Sequence, residues 1–87
     1  MRKQYLQVFR TFFHEKLLRA RGDLGLTQEA MACRLAMASR TYIDLDHGKN
    51  SCSGLTLALF LIYICSDPAE FLEELRKALE EADNEAA

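Results

Sequence analysis

An all-α bundle is the fold class this sequence predicts, and three observations carry it. One proline and four glycines in 87 residues leave too few turn-formers for a strand-rich sandwich. Apolar residues recur at spacings of three and four along the chain, the period of a helix buried on one face. About half the residues are hydrophobic and 28% are charged, which is globular rather than disordered. The length suits one small domain over 1–87, with its core in 5–65, and leaves no room for a second core.

Five helices follow in order. Tyr5, Phe9, Phe12, Phe13, Leu17 and Ala20 give an amphipathic first helix over about 2–21, ended by Gly22 and Gly25. Thr27 caps a second, over about 28–35, whose apolar face is Met31, Ala32 and Leu35. Ala36-Met37-Ala38 makes a tight connection without glycine. A third helix then runs from about 39 to 46, with Tyr42 and Leu45 facing inward. Gly48 stops it in the left-handed conformation. Ser53 caps a fourth helix over about 54–65, apolar nearly all round and therefore expected to be covered on more than one side. Asp67-Pro68 starts a fifth over about 68–82, whose stripe of Phe71, Leu72, Leu75, Ala78, Leu79 and Ala82 is expected to cover the fourth. Residues 83–87 are expected to fray.

The net charge of −2 hides an asymmetry. Residues 1–66 carry nine Lys/Arg against five Asp/Glu, whereas 67–87 carry two against eight. That split suggests a surface for an anionic partner and an acidic terminal helix, or simply two solvated faces. Cys33, Cys52 and Cys65 form no CxxC pair and no zinc-ligand spacing with histidine, so they read as ordinary thiols. No metal and no cofactor are expected. Arg10 interrupts the apolar stretch behind Met1-Arg2-Lys3 and no small-residue cleavage site follows, so no secretory leader is expected. The run from Leu55 to Cys65 is too short to span a bilayer. A soluble, cytoplasmic protein is the expectation.

The stretch from Leu24 to Leu57 carries the functional signal. Two short helices joined by a tight turn are a helix-turn-helix layout, in which the second helix enters a major groove and the first braces it. Gly25-Leu26-Thr27-Gln28-Glu29, then Met31-Ala32, then Leu45-Asp46-His47-Gly48 complete the pattern. In these residues the segment resembles the Cro and lambda-repressor type of helix-turn-helix, the XRE family. The resemblance covers residues 12–64 and implies a five-helix lambda-repressor-like bundle. The chain departs from the family's usual pattern at three places. Ala36 stands where glycine is usual in the turn, Ala38 where Ser or Thr is usual before the recognition helix, and Cys52 where proline is frequent. Capping of the third helix then falls to Ser39 or is lost.

The resemblance also implies roles. Gln28, at the start of the second helix, would bond a phosphate, together with backbone N–H groups there. Ser39, Arg40, Thr41 and Asp44 would lie on the groove side of the third helix. Arg40 is the best base reader, because its fork matches guanine O6 and N7. Asp44 reads as an acceptor from a cytosine amino group or as an acid paired with Arg40 one turn earlier. His47, Lys49 and Asn50 would touch the backbone just beyond. Tyr42 stands where the family has an aliphatic residue and reads as core with its hydroxyl at the rim.

The leading expectation is thus a sequence-specific regulator of double-stranded DNA, acting as a homodimer because one module makes few base contacts. Leu59, Tyr63, Phe71, Leu72, Leu75 and Leu79 are the candidate dimer surface, or they only pack within one chain. The alternative is a protein-interaction module of the antitoxin or anti-repressor type that keeps the fold without strong DNA binding. An enzyme is not expected. No Ser/His/Asp constellation and no phosphate-binding glycine loop are present, and the carboxylates crowd the terminal helix.

Overall fold

The computed structural model describes residues 2–86, which form five α-helices, with no strand among the described residues. They are α1 (Arg2–Leu24), α2 (Gln28–Arg34), α3 (Ser39–Asp46), α4 (Gly54–Leu59, continued by one π turn over Phe60–Ile64) and α5 (Pro68–Ala86). The core is built from Phe13 and Leu17 of α1, Met31 and Ala32 of α2, Leu35 just after it, Tyr42 and Leu45 of α3, Phe60 and Ile64 of the π turn, and Phe71 of α5.

The helix starts obey local rules. The Thr27 hydroxyl accepts from the Ala30 N–H at 3.1 Å, Ser53 Oγ from Thr56 N–H at 3.1 Å, and Asp67 Oδ1 from Glu70 N–H at 3.0 Å. Each satisfies a donor that the first turn leaves unpaired. Ala38 precedes α3 with no side-chain cap, so capping there is lost rather than passed to Ser39.

Three successive helices end in the same way. After α1, Leu26 N–H reaches Arg21 C=O and Gly25 N–H reaches Gly22 C=O, both at 3.1 Å. After α2, Met37 reaches Ala32 and Ala36 reaches Cys33. After α3, Lys49 reaches Asp44 and Gly48 reaches Leu45. This paired pattern requires a left-handed residue at the turn. Gly25 (φ +65°) and Gly48 (φ +73°) fill two of these positions, and Ala36 (φ +55°) fills the third. A Cβ in that conformation crowds the following carbonyl. Ala36→Gly is therefore expected to raise stability by about 0.5–1 kcal/mol, the relief exceeding glycine's entropic cost. A urea midpoint that stays put or falls would show that the turn carries no such strain.

The structure departs from the sequence reading at four places. Helix α1 passes through Gly22 and stops only at Gly25, because Gly22 keeps helical geometry and its carbonyl serves the terminal bond pair. The fourth helix changes from α to π at Phe60, where Cys65 N–H bonds Phe60 C=O at 2.8 Å. Helix α5 packs chiefly along α1 rather than over α4. It also continues to Ala86 instead of fraying after 82. Long-range bonds account for that extension. Gln4 Nε2 donates to Ala82 C=O at 3.0 Å and Tyr5 OH to Asp83 Oδ1 at 2.9 Å, while Lys16 pairs with Glu74 further back along the same helix. Residue 87 lies outside the described residues.

Candidate functional site

Helix α3 has only eight residues, too few to hold itself in water. What fixes it is a polar cluster around Asp46, whose side chain is 5% exposed. Tyr42 OH donates to Oδ1 at 2.9 Å, Arg21 Nε to Oδ1 at 3.1 Å and Gln28 Nε2 to Oδ2 at 3.0 Å. One carboxylate thus joins α1, α2 and α3. Burial pushes the Asp46 carboxyl up, but the Gln28 and Tyr42 hydrogen bonds and the Arg21 charge outweigh it and hold it below the ordinary 3.8. The same burial, with the bond to Asp46, pushes the Tyr42 phenol well above its usual range.

A second tie binds the end of α3 to α1. His14 Nε2 lies 2.8 Å from the Asp46 carbonyl oxygen. A carbonyl only accepts, so Nε2 carries the proton in this contact. The ring lies against Gly48, where an added Cβ would stand 3.2 Å from two ring atoms. Glycine at 48 therefore meets two demands, positive φ and clearance for His14.

With Tyr42, Leu45 and Asp46 turned inward, the residues singled out by sequence are distributed as follows. Ser39, Arg40 and Thr41 at the start of α3 are exposed, as are His47, Lys49 and Asn50 beyond it. Asp44 is half-buried and lies 3.9 Å from Lys49 Nζ, rather than paired with Arg40. The turn after α3 folds Lys49 back onto this acid, since Lys49 N–H bonds Asp44 C=O at 3.0 Å. Gln28 is half-buried, and one of its amide hydrogens is committed to Asp46. Tyr42 is fully buried, hydroxyl included, rather than reaching the rim.

The candidate dimer residues divide. Phe71 is 3% exposed and belongs to the chain's own core. Leu59 and Leu75 are half-buried against that core, and Leu79 is half-buried. Tyr63 and Leu72 are exposed, and Leu55 and Ile62, not singled out by sequence, join them. Leu55, Ile62 and Tyr63 are each about two-thirds exposed. The fourth helix is therefore covered on one side only. Residues 50–66, which include it, carry no Asp, Glu, Lys or Arg.

Sequence reasoning passed over Arg21 and His14 as positioning residues. One signal was available for Asp46. An acid in the last turn of a helix opposes the helix dipole and calls for a partner elsewhere. The thiols remain unremarkable: burial pushes Cys52 up to about 11, far from a reactive thiolate. Among the described residues no group of three His, Cys, Asp or Glu could hold a metal ion, and no helix is long and apolar enough to cross a membrane. No family model, curated protein or solved structure matches the chain.

Proposed function

We propose that the chain is a sequence-specific double-stranded DNA-binding regulator of lambda-repressor-like, XRE type, reading the major groove with α3. The observation that carries this reading is the division of α3. Its Tyr42, Leu45 and Asp46 are locked to α1 and α2, while Ser39, Arg40 and Thr41 at its N-terminal end stand free in solvent. A short recognition helix needs such a brace, and its first residues are the ones that reach base edges. Arg40 is the base reader in this proposal, and among the described residues no carboxylate pairs with it. Lys49 and Asn50 contact the backbone beside it. Two copies on two half-sites supply the contacts that one module lacks.

The second reading is a protein-interaction module. The exposed Leu55, Ile62 and Tyr63 on a charge-free stretch favour it, since contiguous apolar surface marks a partner site. Binding to random duplex DNA across a salt series, wild type beside Arg40→Ala, separates the two. A regulator binds with affinity falling steeply as salt rises, and selection enriches one sequence. Arg40→Ala is expected to lose about 1–3 kcal/mol on that sequence and much less on random DNA. A folded wild type with no binding at low salt moves the function to the interaction module.

A further inference from the structure

We infer that α1 supplies a DNA-backbone contact of its own: Arg10, with Ser51 of the loop that follows α3, forms a corner that grips a phosphate beside the groove read by α3. This rests on the DNA-binding reading above. It adds a contact from an element outside the α2–α3 unit.

The placement follows from helical geometry. Positions 10, 14 and 21 of α1 are separated by four and seven residues, so they share one face. The two inner members of that line are fixed, His14 on the Asp46 carbonyl and Arg21 on the Asp46 carboxylate. The opposite line of α1 holds α5, through Tyr5, Phe12 and Lys16. Helix α1 is therefore held from both sides and cannot roll. Position 10 lies about 6 Å beyond His14 along the axis. There Arg10 Nε lies 3.4 Å from Ser51 Oγ, across the loop that follows α3.

The chemistry suits a phosphate. A guanidinium presents five donors in a rigid fork that matches phosphate oxygens. Only Nε of Arg10 is engaged, by a long bond, and among the described residues no carboxylate pairs with it. Ser51 Oγ accepts from Arg10, which leaves its own O–H free to donate outward. Arg10, Lys49 and Ser51 are all exposed. Asp46, the nearest buried acid of this region, is already matched by Arg21. Lys49, two residues before Ser51 on the same loop, lies 3.9 Å from Asp44, so Arg10 is the cation of the corner that no carboxylate offsets among the described residues.

The test is the salt dependence of duplex binding for wild type, Arg10→Ala, Arg10→Lys and Lys77→Ala. Lys77 is an exposed cation on α5, so its loss controls for net charge alone. Arg10→Ala is expected to flatten the log–log salt slope by about 0.9, the loss of one phosphate contact. It should weaken the preferred sequence and random duplex by the same factor, several-fold at low salt. Arg10→Lys should keep most of the slope, and Lys77→Ala all of it. Circular dichroism confirms that each variant is folded. If Arg10→Ala keeps the wild-type slope while wild type still selects a sequence, the corner is wrong and the DNA reading stands. A changed base preference in Arg10→Ala also overturns it, since a backbone grip carries none. If folded wild type binds no duplex, both fall together.

Discussion

Asp46→Ala is expected to lose about 2–4 kcal/mol, because it strands a half-buried guanidinium, a half-buried amide and a fully buried phenol at once. A domain of this length holds about 4–13 kcal/mol in all, so the variant stands close to unfolding. Asp46→Asn is expected to lose less, about 1–3 kcal/mol. It keeps one carbonyl acceptor, and Gln28 can turn its amide oxygen toward the new NH2 group. The pH dependence has a definite sign. The folded carboxyl titrates below the ordinary 3.8, so its stabilisation is fully present above that value and is lost as pH falls through the folded one. Glu73 and Glu74, held low by Arg76 and Lys16, add to the acid loss of the wild type. Asp46→Asn should therefore have a shallower loss below pH 4 rather than none. Urea unfolding at neutral pH and again near pH 3 reads both effects. An Asp46→Ala protein within about 1 kcal/mol of wild type would remove the cluster from its anchoring role.

The parts of this fold that were legible in the sequence rest on contacts only three to five residues apart. Thr27, Ser53 and Asp67 each cap an N–H three positions on, and such pairs are written in consecutive residues. Gly48 and the inward pair Tyr42 and Leu45 are of the same kind. The π turn was hidden because an all-apolar run offers no face whose period could break. Docking of α5 on α1 was hidden because it rests on pairs such as Tyr5–Asp83, 78 residues apart, and two apolar stripes do not name each other. In the candidate site, the exposure of Arg40 followed from the helical period, while Lys49 lies in the polar loop beyond the end of α3. The partners of Gln28 and Asp44 did not follow from that period. Gln28 turns to an acid 18 residues away, and Asp44 meets Lys49 only because the left-handed turn at Gly48 folds the chain back.

Phe60→Ala is expected to cost about 3–5 kcal/mol and to loosen α5 together with the rest of the bundle. The Phe60 ring lies edge-on to Phe13 at 5.1 Å and tilted against Phe71 at 5.6 Å, while Phe71 meets Phe12 edge-on at 5.1 Å. Four rings thus run from Phe13 on α1 through the π turn to α5 and back to Phe12 on α1. Phe60→Leu keeps most of the apolar volume and loses the ring geometry, so it should cost about 1–2 kcal/mol. Phe71→Ala should be non-additive with Phe60→Ala by about 1 kcal/mol, since each removes the other's partner. Hydrogen exchange distinguishes two ways in which the molecule could give way. If the rings weld it into one unit, α5 amides in Phe60→Ala exchange at the same, lowered free energy as those of α3. If α5 alone becomes labile while α1 and α3 keep wild-type protection, Phe60 serves only the α5 attachment and the domain is two cooperative parts. The π turn bears on this outcome. It carries the chain from Phe60 to Ile64, and both residues are buried in the common core, so a cavity at 60 acts on either side of the turn.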